Sequence, residues 1–350
     1  NASIQKLYAE DTNMIIFQEE KVSRALIDKD AIYSAEGVPL STASNVVIGQ
    51  IVPYAGQYGI SKDPLSFAVY GYRKYFADRK RNCICRLSRD GITEISSYGM
   101  HDFFRDNLSN SSVTKVIGAW DMHGKNYVLS IQGSTIDGGY KTVSFDESVL
   151  GWTSFLSFKP GAIISSGANF YSFETTGSKF WQHYQLESNN QYANFYNTTY
   201  DSSVTLVLNS NPSVVKNFKT IEYEGGTEWE MTSFRASRVY SAITPTQVNT
   251  SIAAVALPIA KYSQPTTLES LESNIFINNF KRKENKYFAN LINNTSAQNA
   301  EIIFGQNISG VKGFFAETIF TLDNNKLSSN SGYGKKELFA VSSNIVQSSY

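Results

Sequence analysis

The chain has 350 residues, with 31 Lys and Arg against 31 Asp and Glu, so its formal net charge at pH 7 is zero. This balance argues against a protein that clamps nucleic acid without regard to sequence, because such a protein needs surplus cations to neutralise phosphates. Charged residues make up 18% and hydrophobic residues 41%, which excludes a long disordered chain. Aromatic residues reach 13%, a composition typical of twisted β-sheets with many turns.

The sequence also bears on processing of the chain, on membrane spans and on the state of its two cysteines. The chain begins at Asn1 and has no signal-peptide pattern, so we expect a processed piece of a longer protein. No apolar run approaches the ~18 residues needed to span a bilayer. Cys83 and Cys85 lie two residues apart in a predicted strand, where we expect free thiols on one face.

The first 58 residues contain one mixed-charge stretch, residues 17–31, whose Val22, Leu26 and Ile27 predict a short helix. We treat residues 1–58 as an N-terminal segment that completes a blade shared with an upstream fragment.

Residues 59–243 predict a repeated order of four short strands. The predicted strands fall at 66–70, 72–77, 84–88 and 92–96, then at 113–119, 126–131, 140–145 and 152–158, then at 162–165, 170–173, 179–184 and 204–208. A period of roughly 40–50 residues with four strands is typical of β-propeller blades. Three blades do not close a ring of the usual four to eight, so we expect an upstream piece or another chain to supply the rest.

The second half predicts an all-β region of different character. Strands at 214–224 and 227–234 flank Gly225 and Gly226 as a hairpin, and residues 244–267 form a Pro-containing linker. Residues 268–350 form a smaller C-terminal β region, with strands predicted at 275–280, 286–292, 311–322 and 337–341.

No catalytic constellation emerges from the motifs. The three histidines, His101, His123 and His183, lack the spacing of a zinc site and are read as polar turn or sheet residues. No nucleophile elbow, phosphate-binding loop or EF-hand pattern is present. The sequence therefore predicts a protein that is not an enzyme, with no catalytic residues, no cofactor and no metal.

Four carboxylates leave one alternative open. Glu222 and Glu224 flank Tyr223, while Glu228 and Glu230 flank Trp229, so a hairpin would gather all four on one face. Such a face beside aromatic residues, including Trp181, is typical of glycan-binding or glycan-cleaving modules acting on host polysaccharide. The competing interpretation is a solvated face opposite buried Tyr223 and Trp229.

A basic stretch gives the strongest local charge bias. It comprises Arg73, Lys74, Arg79, Lys80, Arg81, Arg86 and Arg89. It fits either a surface that faces DNA or a protein partner, or the wet face of exposed strands. The neighbouring turn at residues 88–93 is similar to the Asp-box turn of sialidase-like propellers, which is structural.

Several longer stretches carry a family resemblance. They are residues 50–64, 70–78, 86–91, 144–147, 151–155, 216–225 and 336–343. Together they resemble the tail muzzle, nozzle or "stabilization" protein of crAss-like short-tailed bacteriophages, and the chain resembles its C-terminal portion.

This resemblance implies a structural virion protein at the distal end of the tail. It implies a ring, usually of six copies, that closes and later opens the channel for DNA ejection. The implied partners are other copies, the tail hub or adaptor, the fibres, an N-terminal fragment of the same precursor, and DNA passing without sequence-specific binding. It supplies no catalytic residues.

Overall fold

The computed structural model describes residues 3–11, 13–27, 32–33, 39–40, 48, 50–175, 179–185, 192–226, 229–236, 280–291, 311–322, 324 and 336–348. Its contacts divide the chain into two compact units, Asn1–Glu187 and Ser188–Tyr350, described here one at a time. Antiparallel sheets dominate both units, which confirms the predicted all-β class.

The N-terminal segment forms a sheet rather than a helix. Sheet 1 contains Ile4–Glu10 (β1), Asn13–Gln18 (β2), Val22–Leu26 (β3) and Ile51–Pro53 (β6), and a separate pair joins Ile32–Tyr33 (β4) to Pro39–Leu40 (β5). The predicted helix at 17–31 is wrong, because Phe17 and Val22 face one buried cluster across a turn that carries the charged residues 19–21. Blade sharing with an upstream fragment stays a prediction.

The first two predicted repeats form two four-stranded sheets. Sheet 2 contains Ala68–Tyr70 (β7), Arg73–Asp78 (β8), Cys83–Ser88 (β9) and Gly91–Glu94 (β10), preceded by a 3-10 turn at Pro64–Ser66. Sheet 3 contains Val113–Asp121 (β11), Asn126–Gly133 (β12), Tyr140–Asp146 (β13) and Gly151–Leu156 (β14). A helix at His101–Leu108 (α1) joins the two sheets, and a second 3-10 turn lies at Asp137–Gly139.

The third predicted repeat is only partly correct. Sheet 4 contains Pro160–Ser166 (β15), Asn169–Glu174 (β16) and Phe180–Gln182 (β17). The strand predicted at 204–208 as its fourth member belongs instead to a sheet of the second unit. The alternating pattern of that strand fits any half-buried sheet, so sequence alone assigned it to the wrong partner.

The described residues of the second unit form two larger sheets and one short hairpin. The hairpin joins Asn194–Phe195 (β18) to Thr198–Thr199 (β19). Sheet 5 has the order Ser202–Leu208 (β20), Ala316–Leu322 (β26) and Glu230–Ala236 (β22). Sheet 6 is built on Lys216–Gly225 (β21), with Lys281–Lys283 (β23), Lys286–Asn290 (β24), Val311–Gly313 (β25) and Leu338–Gln347 (β27).

Parts of the predicted second half lie outside the described residues. These are the linker at 244–267 and nearly all of the strand at 275–280. The predicted strands at 286–292, 311–322 and 337–341 are confirmed, with a break between β25 and β26 and a longer final strand.

Sheet 2 packs against a neighbour on each face. One hydrophobic cluster joins its Phe76, Cys85 and Leu87 to sheet 1, and a second joins Tyr75 and Ile84 to sheet 3 and α1. Burial on both faces explains why every residue of β8 after Arg73 is buried, including the charged Lys74 and Asp78, and it orders sheets 1, 2 and 3 as a stack. Stacked four-stranded sheets are compatible with propeller blades.

Candidate functional site

The basic stretch lies on sheet 2 and its turns, where Arg73 and Arg86 converge on one carboxylate. Glu147, in the turn after β13 of sheet 3, accepts a hydrogen bond from Arg86 Nη1 at 2.7 Å and lies 3.9 Å from Arg73. The Tyr75 hydroxyl donates to the same carboxylate at 2.6 Å, and burial raises the pKa of this tyrosine. The cluster therefore links sheet 2 to sheet 3.

A second group of cations links sheet 2 to sheet 1. The Lys74 ammonium is almost fully buried and pairs with Glu10 of β1. Lys80 bonds Glu20 at 2.6 Å and lies 3.5 Å from Glu19, both in the turn after β2. A buried lysine is stable only with a partner for its charge, and Glu10 provides that partner for the inward-pointing Lys74.

Asp78, at the end of β8, forms a third contact, with the segment that connects sheets 1 and 2. Its carboxylate is fully buried and accepts from Gly59 N at 3.0 Å, from Ser61 Oγ at 3.1 Å and from Arg81 Nη1 at 2.9 Å. Gly59 is required here, since a Cβ would lie 2.4 Å from the Glu19 carbonyl oxygen. The carboxylate thus fixes the segment that leads from sheet 1 into sheet 2.

The two remaining cations also have partners in the chain. Arg79 lies 3.6 Å from Asp63, and the Arg89 guanidinium lies 4.0 Å from the centroid of the Tyr72 ring. Burial raises the pKa of Asp63, and the positive charge of Arg79 partly offsets this rise. Every cation of the basic stretch therefore has an anionic or aromatic partner within unit 1, so the stretch joins sheets rather than forming an uncompensated positive face.

The Glu10–Lys74 pair and the Arg89–Tyr72 contact line a polar cleft of about 390 Å³. Its lining includes Glu10, Arg24, Tyr54, Lys74 and Arg89. Sequence reasoning missed this cleft and the three joining carboxylates, Glu10, Asp78 and Glu147. No local motif marks Glu10 or Glu147, because each pairs with a cation on another sheet, and the donors Gly59 and Ser61 of Asp78 lie 19 and 17 positions away along the chain.

The three histidines occupy unrelated positions. His101 begins α1 on the surface, where a loop was predicted, and His123 stacks on Tyr184 with ring centroids 4.0 Å apart. His183 Nε2 lies 2.7 Å from Ser172 Oγ, and burial lowers the pKa of the imidazole to about 4. Within the described ranges, no three His, Cys, Asp or Glu side chains gather as a metal site requires.

Cys83 and Cys85 are buried free thiols whose sulfur atoms lie 3.7 Å apart, as the sequence predicts. Burial raises the pKa of Cys85, and this keeps its thiol protonated.

The predicted carboxylate hairpin does not form. Glu222 and Glu224 lie on β21 of sheet 6, whereas Glu230 begins β22 of sheet 5, and Glu228 lies outside the described residues. Glu224 pairs with Lys286 at 2.8 Å, and Glu222 accepts a hydrogen bond from Ser342 at 2.6 Å. Tyr223 and Trp229 are buried, as the solvated-face interpretation predicts. The prediction fails because the chain crosses between sheets after Gly225 instead of turning back.

No helix of the described residues is long and apolar enough to cross a membrane.

Comparison with known proteins gives two family matches. Residues 2–176 match the model of the crassvirus muzzle protein, and residues 190–294 match that of the crassvirus muzzle protein C-terminal domain. A streptogramin B lyase structure is similar at 13% identity over 53% of this chain and 84% of the lyase, with a TM-score of 0.18 that supports no argument. None of the curated proteins matches. The two family models together span most of the sequence, and the chain belongs to the crassvirus muzzle protein family.

Proposed function

We propose that this protein is a structural component of the distal tail muzzle, where copies form a ring that closes and later opens the DNA ejection channel. Family membership supports a structural role in the tail. The ring, the gating of DNA and the position at the distal end are the proposal.

The observation that carries this proposal is the set of buried ionic junctions between successive sheets of unit 1. Glu10 and Lys74 join sheets 1 and 2, and Glu147 joins sheets 2 and 3 through Arg86 and Tyr75. Buried and hydrogen-bonded pairs favour one arrangement of the packed sheets, because breaking a pair leaves an uncompensated charge. A wall around a pressurised channel requires that stiffness.

Charge compensation suits the passage of DNA. Cations paired within the chain have less capacity to bind phosphates, and each phosphate contact would slow a moving duplex. The zero net charge and the partnered basic stretch therefore support a channel wall that DNA slides past. The duplex is expected to make no sequence-specific contacts.

The proposed role is not enzymatic and uses no cofactor. Two observations support this: Glu230 lies on a different sheet from Glu222 and Glu224, and these two carboxylates are engaged by Ser342 and Lys286. The face of four carboxylates that favoured glycoside cleavage is therefore not formed. The tail hub or adaptor, the fibres and an N-terminal fragment of a common precursor remain proposed partners. The division at 243/244, the linker and the C-terminal β region also remain proposals.

Cryo-electron microscopy of intact particles tests the function directly. We expect several copies around an axial channel at the distal end of the tail, with the channel closed before ejection and open afterwards. A copy located in the capsid, or copies that do not surround the axis, would overturn the proposal.

A further inference from the structure

Among the described residues of unit 2, the hydrophobic core is only half covered along two strands. Sheets 5 and 6 enclose one cluster, whose central members, such as Phe218, Tyr223 and Phe320, are buried. The half-buried hydrophobic residues at its rim are Val204, Leu208, Leu338, Val341 and Ile345. All five lie on β20 or β27, so these two strands are where the described residues leave the core half-buried.

Both strands are sheet edges. β27 pairs with β21, whose opposite side is occupied by β24 and β25, and β20 pairs with β26. Within the described residues, neither β20 nor β27 has a second backbone partner. Each therefore presents a row of N–H and C=O groups that an extended strand can bind.

Among the described residues, the outer strands of sheets 5 and 6 differ in charge. β23 is Lys-Arg-Lys, and β22 contains Glu230 and Arg235, so both carry the charges that protect exposed edges from pairing. By contrast, the seven residues of β20 and the ten of β27 include no charge, proline or glycine. β27 also exposes 71% of Phe339, at a bulge in its pairing with β21.

We infer that β27 of one copy pairs with β20 of the next copy and closes the open core between them. The inference rests on the proposed ring, because a cyclic ring needs two different, complementary surfaces on each copy. The two uncharged edges lie on different sheets and supply such a pair. Joining them brings Val204 and Leu208 of one copy beside Val341 and Ile345 of its neighbour.

Site-directed crosslinking of the full chain tests this pairing. One preparation carries Ser342→Cys on β27 and a second, isotopically heavy preparation carries Thr205→Cys on β20. Both positions are exposed, whereas the native Cys83 and Cys85 are buried. The two are mixed at concentrations that give assembly and treated with a short bismaleimide. Lys283→Cys on the charged edge replaces Ser342→Cys in the control.

We expect a light–heavy crosslink between positions 342 and 205 and its loss in the control. Crosslinks joining 342 only to 342 would indicate a two-fold pair of β27 strands and overturn the inference. Rings without a 342–205 crosslink would overturn it while leaving the proposed function intact. A chain that stays monomeric at every concentration would also overturn the inferred pairing. Particle imaging would then test separately whether the protein forms a ring in the tail.

A proline pair provides the second measurement. Adjacent strand residues point their N–H groups to opposite sides, so one of Ser342→Pro and Ser343→Pro removes a donor to β21 and the other removes a donor to the free edge. We expect one variant to be destabilised and the other to fold normally but lose assembly. If both folded variants assemble like the parent, the free edge of β27 is not used.

Discussion

Unit 1 and unit 2 complete their hydrophobic cores in different ways. In unit 1, the strand β8 is covered on both faces by neighbouring sheets of the same chain. In unit 2, the rim of the core lies half-buried on the edge strands β20 and β27. The difference shows that an inner sheet of unit 1 is covered by its own chain, whereas the described core of unit 2 ends on two uncharged edge strands, which the inferred contact with the next copy would cover.

The two units also use charge differently. In unit 1, Glu10, Asp78 and Glu147 are largely or fully shielded from water. Glu10 and Glu147 bond across sheets, and Asp78 bonds Gly59 and Ser61 in the segment that leads into sheet 2. In unit 2, Glu224 and Lys286 pair between neighbouring strands in solvent. A pair in solvent contributes little to stability, while breaking a buried one leaves an unpaired charge. Removal of the three shielded carboxylates should therefore affect unit 1 strongly, and removal of Glu224 should affect unit 2 weakly.

Removing the Asp78 carboxylate should have the largest effect. Asp78→Ala leaves buried donors at Gly59, Ser61 and Arg81 without their acceptor, at a cost of about 3 kcal/mol in the free energy of unfolding of unit 1. Hydrogen exchange read by mass spectrometry across a urea series measures each unit separately. Asp106→Ala, on the exposed face of α1, is the control and should change nothing. A loss below about 1 kcal/mol would contradict the role of the carboxylate.

Acidification should destabilise unit 1 through His183. The folded imidazole titrates near pH 4 and the unfolded one near 6.5, so the unfolded chain binds more protons between these values. Stability is complete above pH 6.5 and falls by about 2–3 kcal/mol as the pH drops to 4. Urea midpoints from pH 7 to pH 4 measure this loss. His183→Gln should flatten the profile, and an unchanged slope would assign the acid sensitivity to other groups.

Much of sheets 2 and 3 was predictable from sequence, because short runs rich in aromatic and β-branched residues, bounded by turns such as Asp90-Gly91, are local signals. The long-range pairings were not predictable. The strand at 204–208 satisfies the same alternation whichever sheet it joins, and only the packing of Val204 and Leu208 on the second core decides between them.

Sequence reasoning recognised the cations of the candidate site but not its anions. The cations from Arg73 to Arg89 lie close together in the sequence. Their partners Glu10 and Glu147 lie about 60 positions away along the chain from Lys74 and Arg86. Neither carboxylate has a distinctive neighbourhood in sequence. The carboxylate hairpin failed for a related reason, since Gly225-Gly226 permits a tight turn but equally permits a crossing between two sheets.

Glu147→Gln tests the junction between sheets 2 and 3. The neutral amide leaves Arg86 without its counter-charge and weakens the bond from Tyr75, so we expect a loss of about 2 kcal/mol in unit 1. A double-mutant cycle with Arg86→Met measures the coupling, and Glu174→Gln in sheet 4 is the control. Additive effects of Glu147→Gln and Arg86→Met would show that the pair does not join the sheets.

Glu224→Gln should have the smallest effect, because both Glu224 and Lys286 are solvent-exposed and water screens their interaction. The urea midpoint of unit 2 should stay within measurement error, and particles that carry the variant should degrade host polysaccharide as the parent does. Glu222→Gln, which retains an acceptor for Ser342, is the matched variant. A stability loss comparable to that of Glu147→Gln would contradict the contrast between the units. If the variant loses polysaccharide cleavage while its stability is unchanged, the glycan-cleaving alternative is restored. A surface carboxylate that does not affect folding would then be acting on activity through contact with a substrate.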